Sequence, residues 1–263
     1  MGMRPGPLQE MRTMRMNRNR RMAKARQLTL PGLAAAAALS LALAFSLSGC
    51  VNVATYTQPT LVRAIDASYV APPFNVIVEG STIAGNVGQG TITPYATLTA
   101  IAAAPIEIAN AGTGDSMTTT SNPLLAGHQY SVFLSDLSGT PSGYTVSVLT
   151  DQQISAPTGH SDFRFLNQAI KTGAVDVYMI PSGVTLANSI PIVANLPVGG
   201  SLSYIDFTSQ TVTMVVTPAG KATPKYTSPA IYLSGGEVRT VLLVDAQLTS
   251  NPPVEAFIAD DVN

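Results

Sequence analysis

The 263-residue sequence has no tryptophan, a single cysteine, two histidines and only 11% charged residues. One cysteine excludes a disulfide framework and any thiolate zinc cage. Two histidines, neither with a second His or a Cys nearby in sequence, do not supply the three convergent ligands that a metal site needs. No Gly-x-Ser-x-Gly elbow occurs, and no phosphate-cradling glycine loop ends in Lys-Ser or Lys-Thr. Leu33 to Leu47 is an uncharged run of 15 residues rich in Leu and Ala, too short for a comfortable membrane span of ~20.

What is present is distributed unevenly. Eight of the fourteen basic residues and one of the fifteen acids precede Cys50. Six basic and fourteen acidic residues remain from Cys50 onward, so that part carries a net charge of −8. An acidic body of this kind repels nucleic acid and anionic membrane surfaces, and no nucleic-acid partner is expected. The front of the chain reads as an address. Arg20, Arg21, Lys24 and Arg26 form a positive n-region, the Leu33–Leu47 run is an h-region, and Pro31-Gly32 stops its extension to the left. The run ends in Leu47-Ser48-Gly49-Cys50, which resembles the bacterial lipobox. That resemblance implies cleavage before Cys50 and lipidation of its thiol. Two or three acyl chains would then anchor the protein stably, given ~0.8 kcal/mol per buried methylene. Val51 and Asn52 follow the cysteine, not the Asp used for inner-membrane retention, so the outer membrane is favoured in a Gram-negative cell. A small-residue cleavage site beside an incidental cysteine, or a signal anchor, are the alternatives.

Downstream, the chain repeats. Val62-Arg63-Ala64-Ile65-Asp66 aligns with Phe163-Arg164-Phe165-Leu166-Asn167 at an offset of 101, as does Phe74 to Val78 with Val175 to Met179. Gly127 to Asp136 aligns with Gly236 to Asp245 at 109, and Thr145–Asp151 with Val254–Asp260 at the same 109. The drift of eight places an insertion in the middle of the second copy. Within these blocks apolar residues recur with period two and β-branched residues abound, while Pro and Gly clusters punctuate them. After the leader no window of 11 or more residues keeps a helical period without such a breaker. The fold class expected is all-β: two tandem immunoglobulin-like antiparallel β-sandwiches with six or seven short strands each. The expected boundaries are 1–49 for the signal peptide, 50–59 for a tether, 60–152 and 162–263 for the modules, and 153–161 for the linker.

The Arg of each copy, the Val175-Asp176-Val177-Tyr178 strand and a Gly before an aromatic-containing or apolar strand (Gly127 and Tyr130; Gly236) resemble the bacterial domain of unknown function 4397. The first copy departs from the pattern, with Asn75 and Ile77 in place of Asp and Tyr. The resemblance covers roughly Leu61 to Val262. It implies a sandwich fold and an envelope location, often with duplication, and no established chemistry.

Candidate site residues are few. Gly114-Asp115-Ser116 is similar to a hydrolase nucleophile block, but neither His128 nor His160 has an Asp three positions before it. The surrounding NAGTGDSMTTTSN reads as a hairpin loop. His128 reads as a solvated position just before a strand, His160 as a linker residue, and Asp260-Asp261 as a solvated chain end. Arg63 and Arg164 recur between copies. Each is either a strand Arg paired with a carboxylate such as Asp176, or an anion contact in a ligand groove. Six tyrosines, Tyr95 and Tyr204 among them, read as core-edge contacts. The expected protein is a non-enzymatic cell-envelope lipoprotein, without cofactor or metal, held to the membrane by its N-terminal lipid and meeting an envelope protein. The alternative is a module binding surface glycan or peptide.

Overall fold

The computed structural model describes residues 57–136, 143–246 and 253–262. Residues 1–49, read above as a signal peptide, Cys50 and most of the expected tether lie outside them. Both sandwiches fall in one compact unit, Tyr56–Asn263. The described residues are all-β, with one short 3-10 turn and no α-helix.

The first sandwich uses β1 (Thr60–Asp66), β2 (Phe74–Val78), β3 (Ser81–Val87), β4 (Ala96–Leu98), β5 (Ile101–Asn110), β6 (Ser116–Leu124), β7 (Gln129–Asp136) and β8 (Tyr144–Asp151). The second uses β9 (His160–Gln168), β10 (Val175–Pro181), β11 (Val193–Leu196), β12 (Ile205–Thr208), β13 (Thr211–Pro218), β14 (Tyr226–Tyr232), β15 (Val238–Asp245) and β16 (Val254–Asp260). Their sheets have the same order. One sheet is β4-β1-β7-β8 against β12-β9-β15-β16, and the other is β3-β2-β5-β6 against β11-β10-β13-β14. Each sandwich therefore has eight strands rather than six or seven. One ladder in each is parallel, β1 with β7 and β9 with β15. It arises because the chain leaves for the other sheet through β5 and β6 before returning beside its first strand.

Alternation within the strands builds three apolar layers. Val62, Ala64, Val132 and Leu134 face Phe74, Val76, Ile106 and Ile108 in the first core. Phe163, Phe165, Val241 and Leu243 face Val175, Val177, Met214 and Val216 in the second. The residues between them, Ile65, Phe133, Leu166, Leu242 and Val244, form a third cluster shared by both sandwiches. The sheets containing β1 and β9 thus lie back to back in the middle of the molecule. This explains why β1 and β9 are buried almost throughout instead of alternating between core and water.

The extra residues of the second copy lie between β10 and β11. In the first copy β2 turns into β3 through Glu79-Gly80, both at positive φ (51° and 74°), the geometry of a two-residue type I′ hairpin. In the second, residues 182–192 replace that turn and carry the 3-10 turn Leu186–Asn188. Two sequence expectations change. The stretch after Asp115 is strand β6, not loop, because Thr118, Thr119 and Thr120 pair with Ile108, Glu107 and Ile106. His160 is not in the linker; it opens β9 opposite Thr208, leaving 152–159 as the connection.

Candidate functional site

Arg63 and Arg164 each occupy an inner strand, one step out of the core register, so their side chains point into the middle layer. Both are buried, at 2% and 4% exposure. Neither pairs with Asp176. Arg63 donates through Nε to Ser131 Oγ (2.7 Å), through Nη1 to the carbonyl of Asp260 (2.9 Å) and through Nη2 to Asp261 Oδ1. Arg164 donates through Nε to Thr240 Oγ1 (3.1 Å), through Nη1 to the carbonyl of Thr150 (3.1 Å) and through Nη2 to Asp151 Oδ1. Each guanidinium therefore crosses to the carboxylate of the other sandwich. Arg63 Nη2 also lies 3.7 Å from Asp151 Oδ2.

The carboxylates are held in matching ways. Asp151 Oδ2 accepts from Ser131 Oγ at 2.6 Å and from the Tyr95 hydroxyl at 2.7 Å. Asp261 Oδ2 accepts from Thr240 Oγ1 at 2.6 Å and from the Tyr204 hydroxyl at 2.7 Å. Each tyrosine ring also covers a guanidinium, Arg63 Cζ lying 4.8 Å from the Tyr95 centroid and Arg164 Cζ 4.9 Å from Tyr204. Four charges, two of each sign, are thus sequestered with hydrogen bonds on every head group. That satisfaction is what a buried ion cluster requires.

Electrostatics follows from this enclosure. Burial alone would lower the pKa of Arg63, but Asp151 and Asp261 more than reverse it and the net shift is upward. Burial pushes the Asp261 carboxyl up, opposed by Arg63 and by the Thr240 and Tyr204 hydroxyls. The phenols of Tyr95 and Tyr204 are raised by burial and by their acidic neighbours, so they act as donors at neutral pH.

Asp261 was hidden in the sequence by one residue. An offset of 109 sets Asp151 on Asp260, whereas β7–β8 opposes Gln129 to Asp151 and the Asp261 N–H bonds the Val238 carbonyl in the equivalent place. The true offset at this strand is 110, because the connection before β16 (246–253) is one residue longer than that before β8 (137–143). A slip of one exchanges the faces of a strand. Asp260 is exposed and bonds Arg239, while Asp261 is fully buried rather than at a solvated end. Tyr95 and Tyr204, 109 apart, were the signal available to sequence.

Asp176 lies in the outer sheet. Its oxygens accept from the N–H groups of Asn195 (2.7 Å) and Gly220 (2.8 Å). Asn75 does the same for Asn86 in the first sandwich, and both asparagines it and Asp176 hold sit at φ 52°. These polar contacts stabilise a backbone conformation that most side chains avoid. Asp176 also borders a groove of about 580 Å³ with Tyr178, Leu186, Ser189 and Lys221. The 182–192 insertion forms one wall, where the first sandwich has the two-residue turn Glu79-Gly80.

The remaining candidates are separate. His128 precedes β7, exposed, its Nδ1 3.0 Å from the Ala126 carbonyl. His160 Nδ1 is 2.9 Å from both oxygens of Asp206, also exposed. Ser116 opens β6 opposite Ala109. Among the described residues no group of His, Cys, Asp or Glu is placed to hold a metal ion, and no helix is long and apolar enough to cross a membrane.

The family model described as "Domain of unknown function (DUF4397)" matches residues 60–178, the first sandwich and the start of the second. No curated protein matches the chain. Among solved structures it is similar to the Bacillus anthracis TIE protein, at 8% identity and a TM-score of 0.24, over 72% of this chain and 50% of that one. It thus spans half the length of that protein. It is also similar to CBMbc (family CBM26) from Eubacterium rectale Amy13K, solved in complex with maltoheptaose, at 9% identity and a TM-score of 0.22, over 75% of this chain and 96% of that one.

Proposed function

We propose that this protein is a non-enzymatic lipoprotein of the bacterial cell envelope, in which two DUF4397-type modules act as one structural or interaction unit. The observation that carries the reading is the reciprocal cluster of Arg63, Asp151, Arg164 and Asp261. The side chains best suited to chemistry or anion binding are spent on holding two sandwiches together. A second module of the same type over residues 160–262 is supported by its identical strand order, although the family match stops at residue 178. The tether is supported by the Leu47-Ser48-Gly49-Cys50 sequence, and the outer membrane, in a Gram-negative cell, by Val51-Asn52. In this reading the acyl chains fix one end and the paired sandwiches present a rigid block to an envelope partner.

Fractionation with fatty-acid labelling tests the tether. Wild type should take up label and stay with membranes, and Cys50→Ala should lose both while keeping its β-sheet circular dichroism. Unchanged labelling of Cys50→Ala would remove the lipoprotein reading.

One observation favours the second reading, a glycan- or peptide-binding module. The groove walled by the 182–192 insertion sets Tyr178 beside the acid Asp176 and the base Lys221. A glycan and peptide array should then give a signal that Tyr178→Ala and Lys221→Ala remove. No signal above background would leave the structural reading alone.

A further inference from the structure

We infer that the inner face of each sandwich is a self-complementary docking surface whose fitting partner is a second sandwich of the same kind, so that the two halves hold together without the chain joining them. The arginine contacts are reciprocal. Arg63 reaches the carbonyl of Asp260 and the carboxylate of Asp261; Arg164 reaches the carbonyl of Thr150 and the carboxylate of Asp151. The donors stand 101 residues apart and the acceptors 110, so residue i of one half meets j of the other while j meets i. That relation defines a two-fold, isologous interface between like subunits. The apolar patch follows the same rule, with Ile65 matched by Leu166 and Phe133 by Leu242 in one shared cluster.

An interface that merely rides on a tether needs little affinity, because a short linker supplies an effective concentration in the millimolar range. This one is built differently. Its charges balance, are enclosed, and keep hydrogen bonds on each head group, so salt screens them weakly. Either half alone would expose a guanidinium, a carboxylate and an apolar patch, and the matching half covers all three. The connection is open in its middle, where Ile154 is 79% exposed, and Gln152, which stays with the N-terminal half after a cut there, bonds Tyr204 and Asp162 across the interface.

The experiment uses the full chain, purified in detergent, with a protease site inserted after Ile154 and an affinity tag after Asn263. The folded protein is cut and the C-terminal half immobilised. The N-terminal half should remain bound through washes at 1 µM protein, equally in 0.15 and 1 M NaCl. The same preparation carrying Arg164→Ala should release it at least 100-fold faster after cutting, while its uncut form keeps β-sheet circular dichroism. Release of the wild-type N-terminal half on cutting, with both halves still folded, would overturn the inference. So would equal retention by the Arg164→Ala protein, since the reciprocal ion pairs would then not be what recognises the partner.

Discussion

Asp66 and Asn167 occupy the same position in the two sandwiches, and the difference between them sets a measurable pH dependence. Asn167 is fully satisfied: its oxygen accepts the Ala169 N–H at 2.9 Å, and its Nδ2 donates to the carbonyls of Gly173 and Leu196, both at 2.9 Å. Asp66 is equally buried and its Oδ1 accepts the Ser68 N–H at 2.9 Å, but its Oδ2 has no partner among the described residues. A carboxylate there lacks the donors that the amide provides, whereas a carboxylic acid regains one. Burial, with a smaller push from nearby Asp136, raises the Asp66 carboxyl from 3.8 to about 7. The folded state therefore holds a proton that the unfolded state releases near pH 4. Stability is full below that pH, falls as pH rises toward 7, and stays low above it. The shift corresponds to on the order of 4 kcal/mol between these limits. Asp66→Asn should be more stable than wild type by roughly 2–4 kcal/mol at pH 8 and nearly equal to it at pH 4. Urea denaturation of both proteins from pH 4 to 9, followed by circular dichroism, measures the difference. A gap that does not change with pH, or an Asp66→Asn protein weaker at pH 8, would refute the reasoning.

Other outcomes follow from the same contacts. Asp261→Ala leaves Arg63 without its closest carboxylate and should cost about 3–5 kcal/mol, as breaking buried pairs does. At roughly 2–4 °C per kcal/mol for a chain of this size, calorimetry should show a fall of roughly 6–20 °C. Asp260→Ala, one residue away but exposed, should shift the melting temperature by less than about 2 °C. At Gly90 the backbone has φ 71° and an added Cβ would lie 2.2 Å from the Phe257 ring, so Gly90→Ala should lose about 2–4 kcal/mol. Shortening the facing side chain in Gly90→Ala/Phe257→Leu should return part of that loss in the same denaturation assay.

Much of the architecture was legible because β periodicity and turn punctuation survive in both copies. Arg63 and Arg164 stood out by recurrence alone. What the sequence concealed has physical causes. The middle layer is invisible to a reading that gives each sandwich one core and one wet face, since strands such as β1 and β9 bury both sides. Asp176, the carboxylate that the sequence suggests for the arginines, lies in the outer sheet, whereas their partners come from the end of β8 and the residue after β16. Asp261 was misplaced because a connection one residue longer shifts the register and with it the face. His160 looked like linker because Pro157-Thr158-Gly159 precedes it, and only its pairing with β12 makes it strand.

Scanning calorimetry of the intact protein tests most directly whether two sandwiches behave as one body. Two sandwiches sharing one middle layer should give a single transition whose calorimetric and van't Hoff enthalpies agree, with Asp261→Ala splitting or broadening it. Two separate transitions in the wild-type protein, each with the enthalpy of a ~100-residue domain, would contradict it.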